Sequence, residues 1–138
     1  MSGELPTVYE FSTNIADAKP PQPLPTGEYR ASVRNIEPAV SKSSGKPMAV
    51  ITYFISADQY PADFTDGNPE GATGNVYMSL EESPRNIWQI KQMCEMHGVV
   101  ASKRLNLTEF MGQDVIVNVT HEEYQGMPQA RFRPVRAV

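Results

Sequence analysis

The chain has 138 residues, 40% of them hydrophobic, and a mean hydropathy of -0.41, which suits one domain able to bury a core. A net charge of -4 and a pI near 5.1 argue against a general nucleic-acid binder, and no apolar run reaches the roughly 18 residues of a membrane helix. A lone cysteine, Cys94, excludes an internal disulfide framework, and the acidic N-terminus lacks a secretory signal core, so the expected compartment is the cytoplasm.

In chain order, residues 1–25 read as a proline-rich arm and residues 26–138 as the folded domain. The cluster KPPQPLP favours an extended polyproline shape. The piece VYEFSTNI reads first as a loose terminal tail; the alternative is an added edge strand or an arm docked on a neighbouring copy, which would make a homo-oligomer. From Tyr29 to Ile36 the side chains alternate, with Tyr29, Ala31 and Val33 on one face and Arg30, Ser32 and Arg34 on the other, as in a half-buried strand. A basic loop, SKSSGKP, leads to the β-branched and apolar run MAVITYFI, a second strand covered on one face and partly on the other. The connector from Gln59 to Gly74 is made of turn formers. Its DFTDGNPEG piece lacks EF-hand spacing, so no metal is expected there.

A third strand is expected at Asn75 to Leu80, with Val76, Met78 and Leu80 inward and Tyr77 and Ser79 outward. A helix follows, capped by Ser83, carrying Pro84 at its first position and stopped by Gly98. Its expected core stripe is Ile87, Ile90, Cys94 and His97, with Trp88 beside it. After a bridge anchored by Leu105, Leu107 and Phe110, two strands close the chain through a turn at Tyr124-Gln125-Gly126. Val115, Val117 and Val119 form one face of the fourth strand. Ala130 and Phe132 lie opposite Arg131 and Arg133 on the fifth, where Pro134 fits an edge or a strand terminus. The order of strand, strand, strand, helix, strand, strand is that of the OB-fold, a mainly β, five-stranded Greek-key barrel with a helix between strands three and four. Ligands of that fold bind the face around strands two and three and the loops joining strands one to two and four to five.

The charges are segregated. Residues 26–57 carry Arg30, Arg34, Lys42 and Lys46 against Glu28 and Glu37, whereas residues 58–73 carry Asp58, Asp63, Asp66 and Glu70 without a base. Single-strand binding needs positive charge along the phosphates and aromatic faces for the bases. The expected phosphate contacts are Arg30, Arg34, Lys42, Lys46, Arg131 and Arg133, and the expected stacking residues Tyr53, Tyr77 and Tyr124. Tyr53 lies in a run that can equally be core, and any single arginine can be ordinary solvated charge.

The segments LPTGEYRASV, SGKPMAVITYFI, IKQMCEMHGV and GQDVIVNVTHEEYQGMPQARFRPV, in that order, resemble phage-encoded single-stranded-DNA-binding proteins with an OB-fold. The resemblance covers roughly residues 24–136 and leaves out the arm. It implies sequence-tolerant binding of single-stranded DNA in phage replication or recombination, alongside phage replication or recombination proteins, without catalysis or cofactor. Many such proteins end in an acidic recruiting tail, whereas this chain ends in RFRPVRAV. No catalytic constellation is legible: His97 and His121 sit on different elements, Cys94 and His97 are too few for structural zinc, and SKSSGKP lacks P-loop spacing. The alternative is a phage structural or accessory protein that uses the same small barrel for protein contacts.

Overall fold

The computed structural model describes residues 4–138. Five strands and one helix follow the expected order: β1 (Gly27–Val40), β2 (Pro47–Ile55), β3 (Ala72–Ser79), α1 (Pro84–Met96), β4 (Asp114–Tyr124) and β5 (Met127–Ala137). All neighbouring strands run antiparallel in the order β3-β2-β1-β4-β5. β1 is longer than its alternation alone suggested, because each half has its own partner. Gly27 to Ser32 pair with β4, and Ser32 to Val40 pair with β2.

The change of partner coincides with a bulge. Val33 faces Tyr53 and Asn35 faces Thr52, so Arg34 is the extra residue of β1. Such an insertion bends the strand and increases its twist. Ahead of it, Gln59 braces the stretch of β1 that β2 does not cover. Its side-chain amide accepts from the Arg30 N–H at 2.9 Å and donates to the Arg30 carbonyl at 2.8 Å.

The expected closed barrel is not formed: β3 and β5 are the two edges of an open sheet. They meet through a side chain instead of a hydrogen-bond ladder. Phe132 lies on Gly74, where a Cβ would come within 2.7 Å of the ring. β5 also carries Pro134, which cannot donate to a ladder, beside a register shift in its pairing with β4. The edge is one of the two positions, edge or strand terminus, that the sequence predicts for that proline.

The core lies on one face of the sheet. Ala49, Ile51, Tyr53 and Ile55 of β2, Val115, Val117 and Val119 of β4, and Phe132 of β5 are buried there with Phe110. α1 begins at Ser83, whose hydroxyl accepts from the Asn86 N–H at 3.2 Å, and carries Pro84 in its first turn. It ends in a Schellman motif: Gly98, at φ +71°, donates to the Glu95 carbonyl, and Val99 donates to that of Cys94 at 2.9 Å. The buried face of α1 is Met93, Cys94 and His97, with Ile90 half-buried. Ile87 and Trp88 point to solvent, because the sheet supports only the C-terminal half of the helix. The β4–β5 connection is a two-residue turn with φ +52° at Gln125 and +78° at Gly126, the left-handed pair that suits hairpin twist. No helix among the described residues is long and apolar enough to cross a membrane.

The arm outside the described residues is limited to its first three positions; the rest makes no strand and forms only a short 3-10 turn at Ile15–Asp17. Its root is fastened to the domain. The Gln22 N–H donates to Asp66 at 2.8 Å, the Tyr29 hydroxyl to the Pro25 carbonyl at 2.8 Å, and His121 Nε2–H to the Leu24 carbonyl at 2.7 Å.

Candidate nucleic-acid interface

The parity of each strand sorts the candidate residues between two faces. On β2, Tyr53 shares the inner parity with Ala49, Ile51 and Ile55, all fully buried. Its ring therefore presents no face to a base, which removes Tyr53 from the expected stacking set. Its hydroxyl lies 2.8 Å from His97 Nε2, while His97 Nδ1 lies 2.7 Å from the Met93 carbonyl. A carbonyl only accepts, so Nδ1 carries the proton, and Nε2 accepts from the tyrosine hydroxyl. Burial lowers the His97 pKa against a smaller opposing effect of the Met93 hydrogen bond, and burial raises that of Tyr53. The pair is neutral and internally satisfied. Cys94 is likewise buried, its thiol pushed up first by desolvation and then by Glu109 and Glu95, so it is a poor nucleophile.

The outer parity holds the rest. Cross-strand pairing sets Tyr77 of β3 against Val50 of β2 and then Glu37 of β1. One step along, Asn75 faces Thr52, and their side chains hydrogen-bond at 2.8 Å. The next row sets Thr73, Phe54 and Ser32 side by side. Tyr77 is 63% exposed, with its ring available to solvent. Phe54, which the sequence reading did not single out, is half-buried beneath the Arg34 guanidinium, 3.7 Å from the ring centroid. A Cβ on Gly71 would run into the same ring, and φ +123° at that position reserves it for glycine. The bulge and the connector thus hold a cation over an aromatic ring on the outer face, an arrangement worth about 0.5–1 kcal/mol at an exposed site.

The remaining cations differ in availability. Arg30 is held by Asp114, with Nη2 at 2.6 Å and Nε at 3.2 Å from one carboxylate oxygen. Lys46 pairs with Glu81 at 3.0 Å, and Arg131 with Glu122 at 3.5 Å. Arg136, on the outer parity of β5 beyond Arg133, pairs with Glu28. Lys42, in the loop joining β1 to β2, and Arg133 make no ion pair among the described residues. Exposed pairs of this kind are worth little and exchange readily, yet each carboxylate competes with a phosphate for its cation.

The structure thus brings Arg34, Phe54 and Tyr77 onto the outer face of β1, β2 and β3, and gathers Arg30, Arg131 and Arg133 on the outer face of β1, β4 and β5. The two loops lie at opposite ends of β1: Lys42 and Lys46 follow its end, and the Tyr124 hairpin extends β4 and β5 past its start. Tyr124 is exposed at the tip, opposite Met127, which is also exposed. Compared with protein-family models and with curated proteins, the chain matches none.

Proposed function

We propose that this protein binds single-stranded DNA on the outer face of its sheet, without sequence preference and without catalysis. The observation that carries the reading is the outer face of β2 and β3, where the exposed ring of Tyr77 and, two rows along, the guanidinium of Arg34 over the half-buried Phe54 both face outward. Bases stack on aromatic faces irrespective of sequence, at about 1–3 kcal/mol each, and arginine contributes through its own planar cation. The strand order supports an OB-fold in which the seam between β3 and β5 stays open, since that fold is a partly open Greek-key barrel and binds oligonucleotides on this face. The family resemblance supports a setting in phage DNA replication or recombination.

In this reading Tyr77 stacks a base, Arg34 and Phe54 form a second platform, and Lys42 and Arg133 contact phosphates directly. Arg30, Lys46 and Arg131 join only by leaving their carboxylates. That exchange, with the net charge of -4, keeps the phosphate contribution small, so stacking carries more of the affinity than in a basic protein. It also disfavours duplex, whose bases are already stacked.

Those same ion pairs favour a second reading, in which the sheet surface is a finished protein surface and the chain serves as an accessory protein. A fluorescence titration with labelled oligothymidine separates the two. Single-strand binding predicts association at low salt, a linear fall of log affinity with log salt whose slope is about -0.7 per phosphate contact, and weak competition by duplex. No binding at low salt rejects it and leaves the accessory reading.

A further inference from the structure

The chain carries two exposed apolar surfaces of complementary charge, and neither belongs to the sheet face described above. The first is a groove of about 630 Å³ between α1 and the segment 99–107. Ile90 and Leu105 line it, flanked by Ile87 and Val100, the latter 82% exposed. Its rim carries Lys103 and Arg104 against Glu82, with Lys91 beside them paired to Glu95 at 3.8 Å. Lys103 and Arg104 make no ion pair among the described residues.

The second surface is the arm. Between residues 4 and 18 it exposes Leu5, Val8, Tyr9, Phe11 and Ile15, and its charged side chains are Glu4, Glu10 and Asp17 with no base. Apolar side chains interleaved with carboxylates are what an apolar groove rimmed by lysine and arginine accepts. The arm is also held away from its own domain. Its root is fixed through Gln22, Leu24 and Pro25, and Pro20, Pro21 and Pro23 stiffen the spacer between root and apolar segment.

We propose that residues 4–18 of one copy dock into the groove between α1 and the segment 99–107 of a second copy. Donor and acceptor are different surfaces, so two copies can exchange arms in a closed dimer, or repetition can give a larger ring or an open chain of copies. The apolar arm side chains fill the groove, and Glu10 and Asp17 pair with Lys103 and Arg104. The interface leaves the outer sheet face free, so it stands whether or not that face binds DNA.

Sedimentation velocity of the full chain across a concentration series tests this. The wild-type chain is expected to grow beyond its 15.3 kDa monomer mass as concentration rises. Val8→Asp with Phe11→Asp disables the arm, and Ile87→Glu with Val100→Asp disables the groove; all four side chains are exposed, so the fold is retained, as circular dichroism will show. Each variant alone stays monomeric. Mixed, they form a one-to-one complex and nothing larger, because one partner offers only its groove and the other only its arm. A wild-type chain that stays monomeric throughout overturns the proposal, as does an arm variant that assembles like wild type, or a mixture that forms no complex.

Discussion

On the inner face of the sheet, Tyr53 and His97 satisfy one another and the Met93 carbonyl, and nothing is left over for a ligand. On the outer face, one strand away, Tyr77 keeps its ring in solvent, and Arg34 lies across Phe54 with no ion pair among the described residues. The residue types are similar, aromatic and cationic, yet their surroundings differ. Availability, set by strand parity and by each group's partners, distinguishes the face proposed to bind DNA from the polar core. The same criterion divides the outer face itself, where Arg133 is unpaired among the described residues while Arg30 is engaged by Asp114.

The inner face is the more sensitive of the two to substitution. Phe110 is fully buried and packs against His97, with ring centroids 5.1 Å apart. Phe110→Ala is expected to cost about 3–5 kcal/mol in chemical denaturation. Tyr53→Phe removes a donor and leaves His97 Nε2 unpaired, which is expected to cost about 1–3 kcal/mol by the same measurement at pH 7.5. The sign of the accompanying pH effect follows from the lowered His97 pKa. The unfolded chain takes up a proton near pH 6.5, whereas the folded chain resists it until lower pH. Stability is therefore present above about pH 6.5 and lost as pH falls below it. Denaturation midpoints from pH 8 to 5 should fall more steeply for wild type than for His97→Gln.

Changes on the outer face should spare stability and act on binding. Tyr77→Ala is expected to weaken oligothymidine binding by roughly 5- to 150-fold, the equivalent of one stacked base, with a denaturation midpoint close to wild type. Arg133→Ala should make the salt slope shallower by about 0.7, one phosphate contact. The smallest effect is expected of Asp114→Asn, which releases Arg30. Affinity should rise by no more than about fivefold, the scale of an exposed ion pair near 1 kcal/mol, and the slope should steepen. An unchanged slope takes Arg30 off the path of the strand.

The element order, the helix cap at Ser83, the Gly98 stop and the edge position of Pro134 were legible in the sequence because each is a local rule. Tyr53 and Phe54 were not sorted, although Thr52 held the clue. In the run MAVITYFI the polar residue marks the outer parity, so Phe54, two positions on, shares that face and Tyr53 does not. The Ile87 stripe failed for a different reason: helical periodicity names a face but not how far along the helix the sheet extends. Nor does composition reveal ion pairs across strands. Arg30 and Asp114 are 84 residues apart, and only the register of β1 against β4 brings them together. The seam between β3 and β5 is bridged by Phe132 lying on Gly74, again a contact between distant strands.

Ultraviolet cross-linking of the full chain to oligothymidine at low salt, with the joined peptides mapped by mass spectrometry, tests the central claim most directly. The account predicts cross-links concentrated at Tyr77 and Phe54 on the outer face of β2 and β3, and their loss when salt displaces the strand. Cross-links confined to α1 or the arm, or none under conditions where a control single-strand binder is labelled, would contradict it.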